Sequence, residues 1–124
     1  MDKQYMFKAK KYYRMTLAGS PAIEGELILE DGEKIKKAYF SFPLSGISIS
    51  RSFYDMLKLK DISYIYYSDL SKVEFSKAKN TIDFYQRQKG IVLRIICPSK
   101  FYERLKDVFL HDSYLDSDCI QLVE

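Results

Sequence analysis

The sequence predicts a mainly β domain with one C-terminal α-helix. Three observations lead there: runs in which apolar residues recur at every second position, turn residues between those runs, and one stretch near the C-terminus with helical spacing. Its 124 residues suit a single domain, 1–124, with 112–124 as a tail. A chain of this length buries roughly two thirds of its unfolded surface, so one core is expected. No Pro/Gly/Ser-rich linker divides it.

From Phe7 to Leu17 the odd positions Phe7, Ala9, Tyr13, Met15 and Leu17 alternate with Lys8, Lys10, Tyr12, Arg14 and Thr16, which is the period of a strand; Lys11 is the charged exception on the apolar face. Gly19, Ser20 and Pro21 make a turn before a second strand carrying Ile23, Gly25, Leu27 and Leu29 on one face. Asp31 and Gly32 supply the backbone of a tight hairpin. A third run, Ile35 to Phe42, stops at Pro43, which cannot donate to a ladder. Ile47 and Ile49 with Ser48 and Ser50 between them form a short fourth strand. Phe53 to Asp61 fits neither period and stays open between helical turn, strand and loop. Ile62 to Tyr67 is strand-like, Ser68 and Asp69 bend, and Val73 with Phe75 begin the next strand. Turns at Lys79–Thr81 and Lys89–Gly90 bracket Ile82, Phe84 and Gln86, and Ile91 to Cys97 is an apolar run broken only by Arg94.

Pro98 and Ser99 then end the sheet and open a helix over about 99–111, with Ser99 as its cap. Phe101, Leu105, Val108 and Phe109 gather into one stripe, and Lys100, Glu103, Arg104, Lys106 and Asp107 fill the rest. That stripe must cover apolar surface. Beyond His111 the acidic segment Asp112–Glu124 reads as a frayed tail, a last strand or a short helix.

The net charge of +3 conceals opposite ends. Lys3, Lys8, Lys10, Lys11 and Arg14 stand against Asp2 alone, whereas residues 107–124 carry five acids and no Lys or Arg. A basic first strand faces either phosphates, anionic lipid and acidic partners, or the chain's own acidic tail. The longest uncharged run, Ala38–Ser50, falls well short of the roughly 20 apolar residues that span a bilayer. No transmembrane segment is expected, and without an apolar leader the expected location is cytoplasmic.

Catalytic constellations are absent from the pattern, and no enzyme activity is expected. The one imidazole, His111, falls near the helix C-terminus, where a cation suits the dipole. Asp112, Asp116 and Asp118 lack the central Gly and closing Glu of a calcium loop. The five glycines are isolated and build no phosphate cradle. Cys97 and Cys119 form neither a disulfide framework nor a zinc pattern, and Cys97 reads as a small buried hydrophobe. No cofactor is expected.

Tyr66–Phe75, then Thr81–Tyr85, then Gly90–Cys97, then the helix Phe101–Leu110 resemble the pleckstrin-homology-like superfold, in particular its small bacterial and GRAM-like versions. The resemblance covers about 50 residues. It implies a bent antiparallel sheet or partly open barrel capped by the helix, and a scaffold that binds peptides, partner proteins or lipid headgroups without performing a reaction. Lipid-binding members place basic residues in the first hairpin; here Lys10, Lys11 and Arg14 lie on the first strand while the turn around Gly19 has no Lys or Arg, which speaks against a phosphoinositide pocket.

Lys10–Arg14 with Pro43–Ile49 is similar to the PilZ class of cyclic-dinucleotide receptors. That signature is broken at three places: Lys10 stands for the first Arg, Ser41 for the Asp and Pro43 for the Ser. An ammonium does not replace a guanidinium that stacks on a base.

The expected function is therefore an interaction module for a protein partner, with an anion-binding module for lipid headgroup, cyclic dinucleotide or nucleic acid as the alternative. The candidate binding residues are Lys8, Lys10, Lys11, Tyr12 and Arg14 on the first strand, with Tyr64 and Tyr66, which share one side of a later strand. Exposed Tyr gives large, rigid contact area.

Overall fold

Period-two alternation closes into strands when each run finds a neighbour, and here nine runs do so in one sheet. The computed structural model describes residues 4–13, 21–43, 45–58, 61–111 and 115–123. The strands are β1 (Tyr5–Tyr13), β2 (Ala22–Leu29), β3 (Lys34–Ser41), β4 (Gly46–Ser50), β5 (Ser63–Tyr66), β6 (Leu70–Ser76), β7 (Thr81–Gln86), β8 (Gly90–Ile96) and β9 (Ile120–Val123). Among the described residues two helices, α1 (Phe53–Leu57) and α2 (Ser99–His111), complete the regular structure with 3-10 turns at Tyr67–Asp69 and Ser117–Cys119. The Gly19–Ser20 turn and Asp112–Tyr114 lie outside the described residues.

The sheet order is β5-β4-β3-β2-β1-β8-β7-β6-β9. β5 and β6 sit towards opposite sides of that order, yet only Tyr67–Asp69 joins them. So short a link forces the sheet to curl round, and it forms a half-barrel. Two meanders, β1 to β5 and β6 to β8, make it up together with β9 beside β6. Two junctions depart from the antiparallel expectation: β1 pairs in parallel with β8, Tyr5 to Leu93 through Lys8 to Ile96, and β9 pairs in parallel with β6. The second shows that part of the acidic tail is a strand.

Inside the curl Phe7 stacks on Phe40 with ring centroids 3.9 Å apart. α2 occupies the same interior. Its buried Phe101, Tyr102, Leu105, Val108 and Phe109 form the stripe expected from the spacing, and Phe109 meets Phe42, Phe84, Phe75 and Tyr67. Each such side chain removed from water contributes about 1.5 to 3 kcal/mol of transfer free energy, so the stripe fastens α2 to both meanders. The cap differs in detail from expectation: the Pro98 carbonyl accepts from Phe101 and Tyr102 N–H, both at 3.2 Å, and Ser99 is already the first helical residue.

Turn chemistry is local and follows the sequence. Gly32 takes a φ of +89° and donates to the Leu29 carbonyl at 2.9 Å, closing the β2–β3 hairpin. The open segment after Phe53 resolves into α1, capped by Ser52, whose hydroxyl accepts from Asp55 N–H at 3.0 Å. α1 lies on the outer side of the sheet, where Met56 packs with Ala22 and Tyr39 in a second, small apolar cluster. That cover explains β4: Ile47 and Ile49 are buried within the curl, and Ser48 and Ser50 are buried on the other face.

Candidate functional site

The first strand does not keep one alternation along its length. Ala9 pairs with Gly25 and Lys11 with Glu24, so Lys10 is an extra residue bulged out of the β1–β2 ladder. Before the bulge Phe7 and Ala9 face the core. After it Tyr12 does, opposite buried Ile23, with its ring 5.9 Å from that of Phe101. Tyr12 is therefore parted from Lys8, Lys10 and Lys11, which are all exposed on the outer side. Expectation put Lys11 and Tyr13 on the core face and Tyr12 outside with Lys8 and Lys10. The bulge, a property of the pairing, reverses the second half. Arg14 lies outside the described residues.

Outward-facing Tyr13 finds a different role. Its hydroxyl donates to Glu24 Oε2 at 2.7 Å, and Tyr39, paired with Glu24 on the next strand, bonds the same carboxylate. Glu24 is only 7% exposed. Burial pushes its carboxyl pKa up, but the two hydroxyls together with Lys37 and Lys11 outweigh that and leave it below the ordinary value. The Tyr13 hydroxyl is correspondingly pushed up to about 12, first by its hydrogen bond to Glu24 and then by desolvation. Phe53 of α1 covers both tyrosines, 6.3 Å from Tyr13 and 5.9 Å from Tyr39.

The β2–β3 pairing adds Lys34, Lys36 and Lys37, all exposed, on the far side of β2. Two lysine strands thus flank a central strand bearing Glu24 and Glu26, and Lys8 lies directly opposite Glu26. Sequence reasoning missed this partition; the signal was the Lys34, Lys36, Lys37 run one hairpin away from the acids. Within the acidic tail, strand β9 is not the neighbour of β1, since β8, β7 and β6 stand between them.

Tyr64 and Tyr66 lie together as expected, with ring centroids 4.6 Å apart on the outer side of β5. Tyr64 shares a 2.9 Å hydrogen bond with Ser45, and Tyr66 is 52% exposed. β5 is the end of the sheet order, and its antiparallel register with β4 decides which backbone groups are engaged. Tyr67 N–H bonds Ser45 O at 3.0 Å, so the hydrogen-bonded pairs fall at 67, 65 and 63. The backbone N–H and C=O groups of Tyr64 and Tyr66 consequently point to the open edge. No Lys, Arg, Asp, Glu or Pro blunts that edge between Ile62 and Ser68.

Cys97 and Cys119 are both free thiols. Cys97 is buried, and desolvation pushes its thiol up to about 12, away from the thiolate range. Cys119 Sγ lies 3.7 Å from the Leu70 carbonyl. Among the described residues no group of three or more His, Cys, Asp or Glu side chains could hold a metal ion, and no helix is long and apolar enough to cross a membrane. Compared with protein-family models, with curated proteins and with solved structures, the chain matches none.

Proposed function

We propose that this chain is a non-catalytic, cytoplasmic interaction module with a pleckstrin-homology-like fold, whose protein partner adds an extended segment to the β5 edge. One observation carries the reading: Tyr64 and Tyr66 present both their backbone hydrogen-bonding groups and their rings at an edge without charge or proline. A strand laid there gains main-chain hydrogen bonds from the first and rigid aromatic contact from the second. Copurification from cell extract with mass spectrometry, followed by hydrogen exchange on the recovered complex, tests it. The expected result is a saturable partner that protects the Tyr64 and Tyr66 amides and is lost from a Tyr64→Ala/Tyr66→Ala variant. Failure to recover a saturable partner, or protection confined to other strands, removes the reading.

A second reading rests on the lysines of β1 and β3. Lys8, Lys10 and Lys11 with Lys34, Lys36 and Lys37 form two exposed basic ridges suited to an anionic lipid surface, a cyclic dinucleotide or nucleic acid. Glu24 and Glu26 between them reduce the field, which is why this reading stands second. It requires binding to anionic vesicles, cyclic dinucleotide or single-stranded DNA that falls steeply with salt and vanishes when the six lysines become Ala. Salt-insensitive binding excludes it.

A further inference from the structure

The sheet has a second free end at β9, opposite β5 in the strand order. β9 pairs with β6 so that Ile120 lies beside Val73 and Leu122 beside Phe75. Paired residues on neighbouring strands share a face, so Ile120 and Leu122 stand on the core side of the sheet. Ile120 is partly buried against the core there, and Phe75 is 1% exposed, yet Leu122 is 63% exposed. The apolar side of the sheet thus continues beyond its cover at this edge.

The backbone is open at the same residues. Lys77 N–H donates to the Val123 carbonyl at 3.2 Å, and successive residues of a strand turn their backbone groups to alternate sides. Gln121 and Val123 therefore bond β6, whereas the N–H and C=O groups of Ile120 and Leu122 face away from it. β9 itself carries neither charge nor proline. The chain ahead of it stays beside β6, since Cys119 Sγ lies 3.7 Å from the Leu70 carbonyl. That end is acidic: Asp116 and Asp118 are exposed, and among the described residues neither has an ion-pair partner. Asp116 Oδ1 accepts only the Asp118 N–H, at 3.0 Å. Lys72 on β6 is taken up by Glu74 at 3.5 Å and by the Tyr85 ring, and exposed Lys77 lies at the opposite, Val123 end.

From this juxtaposition we infer that the β9 edge docks an extended peptide segment that is aliphatic in its middle and basic at its C-terminal end. The segment runs antiparallel to β9, the stronger of the two ladders, and exchanges main-chain hydrogen bonds with Ile120 and Leu122. Its aliphatic side chains fall on the core side and cover Leu122. Its basic end meets Asp118 and Asp116, and its N-terminal end, near Lys77, carries no cation. The site is independent of the β5 edge and uses none of its residues.

Titration of isotope-labelled protein with the synthetic peptide Ac-Ser-Leu-Thr-Leu-Thr-Lys-Lys-NH2, followed by backbone amide shifts, tests the assignment. Saturable shifts are expected at Ile120 and Leu122, with a Kd in the millimolar range suited to so short a strand. Exchanging the two Lys of the peptide for Glu should weaken binding about fivefold or more. N-methylation of its two Leu residues, which removes the main-chain donors facing β9, should abolish it. Asp118→Lys should reverse the preference between the Lys and Glu peptides, and Leu122→Ser should weaken both; the two positions are exposed. Absence of saturable shifts at Ile120 and Leu122 overturns the inference, as do equal affinities for the Lys and Glu peptides or unchanged affinity after N-methylation. Shifts confined to Tyr64 and Tyr66 overturn it as well and put the peptide at β5. Shifts at Ile120 and Leu122 that grow with protein concentration in the absence of peptide make a second copy the occupant, which also overturns it.

Discussion

Tyr13 donates its hydroxyl to Glu24 at 2.7 Å across the β1–β2 ladder, and that bond exists because the Lys10 bulge turns Tyr13 to the outer side. The pair ties α1 to the sheet, since Phe53 rests on Tyr13 and on Tyr39, the second donor to Glu24.

Replacing Glu24 by Gln should lower the Tyr13 pKa from about 12 towards its ordinary 10 and cost about 1 to 3 kcal/mol through the weakened buried bonds. Absorbance titration of tyrosine ionisation and urea unfolding read the two effects. An unchanged Tyr13 midpoint would show that burial, not Glu24, holds it high.

The same pair sets two limits on pH. Glu24 has a depressed folded pKa, so its contribution is present above the unfolded carboxyl value and is lost as pH falls through the folded one. Tyr13 is raised, so its contribution is complete below about 10 and is lost as pH climbs from there to about 12. Thermal midpoints measured across pH should fall at both ends, and Glu24→Gln should flatten both arms.

Arg94 and Asp83 are unequally buried, with side chains 41% and 10% exposed. Removing the better solvated partner strands the worse one. Arg94→Leu, which leaves the Asp83 carboxylate buried without its donor, should therefore cost about 3 kcal/mol, against about 1 kcal/mol for Asp83→Leu. Equal losses in denaturant unfolding would contradict this asymmetry.

Phe109 is fully buried and meets aromatic rings from both meanders, so Phe109→Ala should cost about 3 to 5 kcal/mol. The conservative Phe109→Leu should recover more than half. Chemical denaturation monitored by tyrosine fluorescence measures both.

Gly46 lies where a Cβ would collide with the Ile65 carbonyl oxygen and come 2.6 Å from Tyr64 Cε1. Gly46→Ala should push β5 off β4 at a cost of about 1 to 3 kcal/mol, with faster amide exchange at Ile65. Unaltered exchange there would mean that the strands absorb the methyl group.

Features decided within one turn of chain were legible in the sequence. The span of α2, the Gly32 hairpin and the shared face of Tyr64 and Tyr66 follow from spacing alone. Features decided by a distant partner were not. The bulge at Lys10 depends on how β1 meets β2, and it moved Tyr12 from the expected binding face to the core. The parallel contacts of β1 with β8 and of β6 with β9 leave no trace in either strand's own alternation. α1 was ambiguous because five residues are too few to establish a helical period. The lysines of β3 join those of β1 around Glu24 and Glu26 only through the hairpin register.

The parallel seam between β1 and β8 bears on the order of assembly. Tyr5 meets Leu93, so β1 waits for β8, with six strands between them along the chain, before both its sides are satisfied. Each meander is stitched from neighbours in the chain and closes small loops, whereas the seam closes the longest loop but gains only four residue pairs. Joining of the two meanders at this seam should therefore be the slow, late step of folding. Without α2 behind β8, the inner faces of β1 to β5 would lack the cover that Phe101, Leu105 and Phe109 give them in the folded chain.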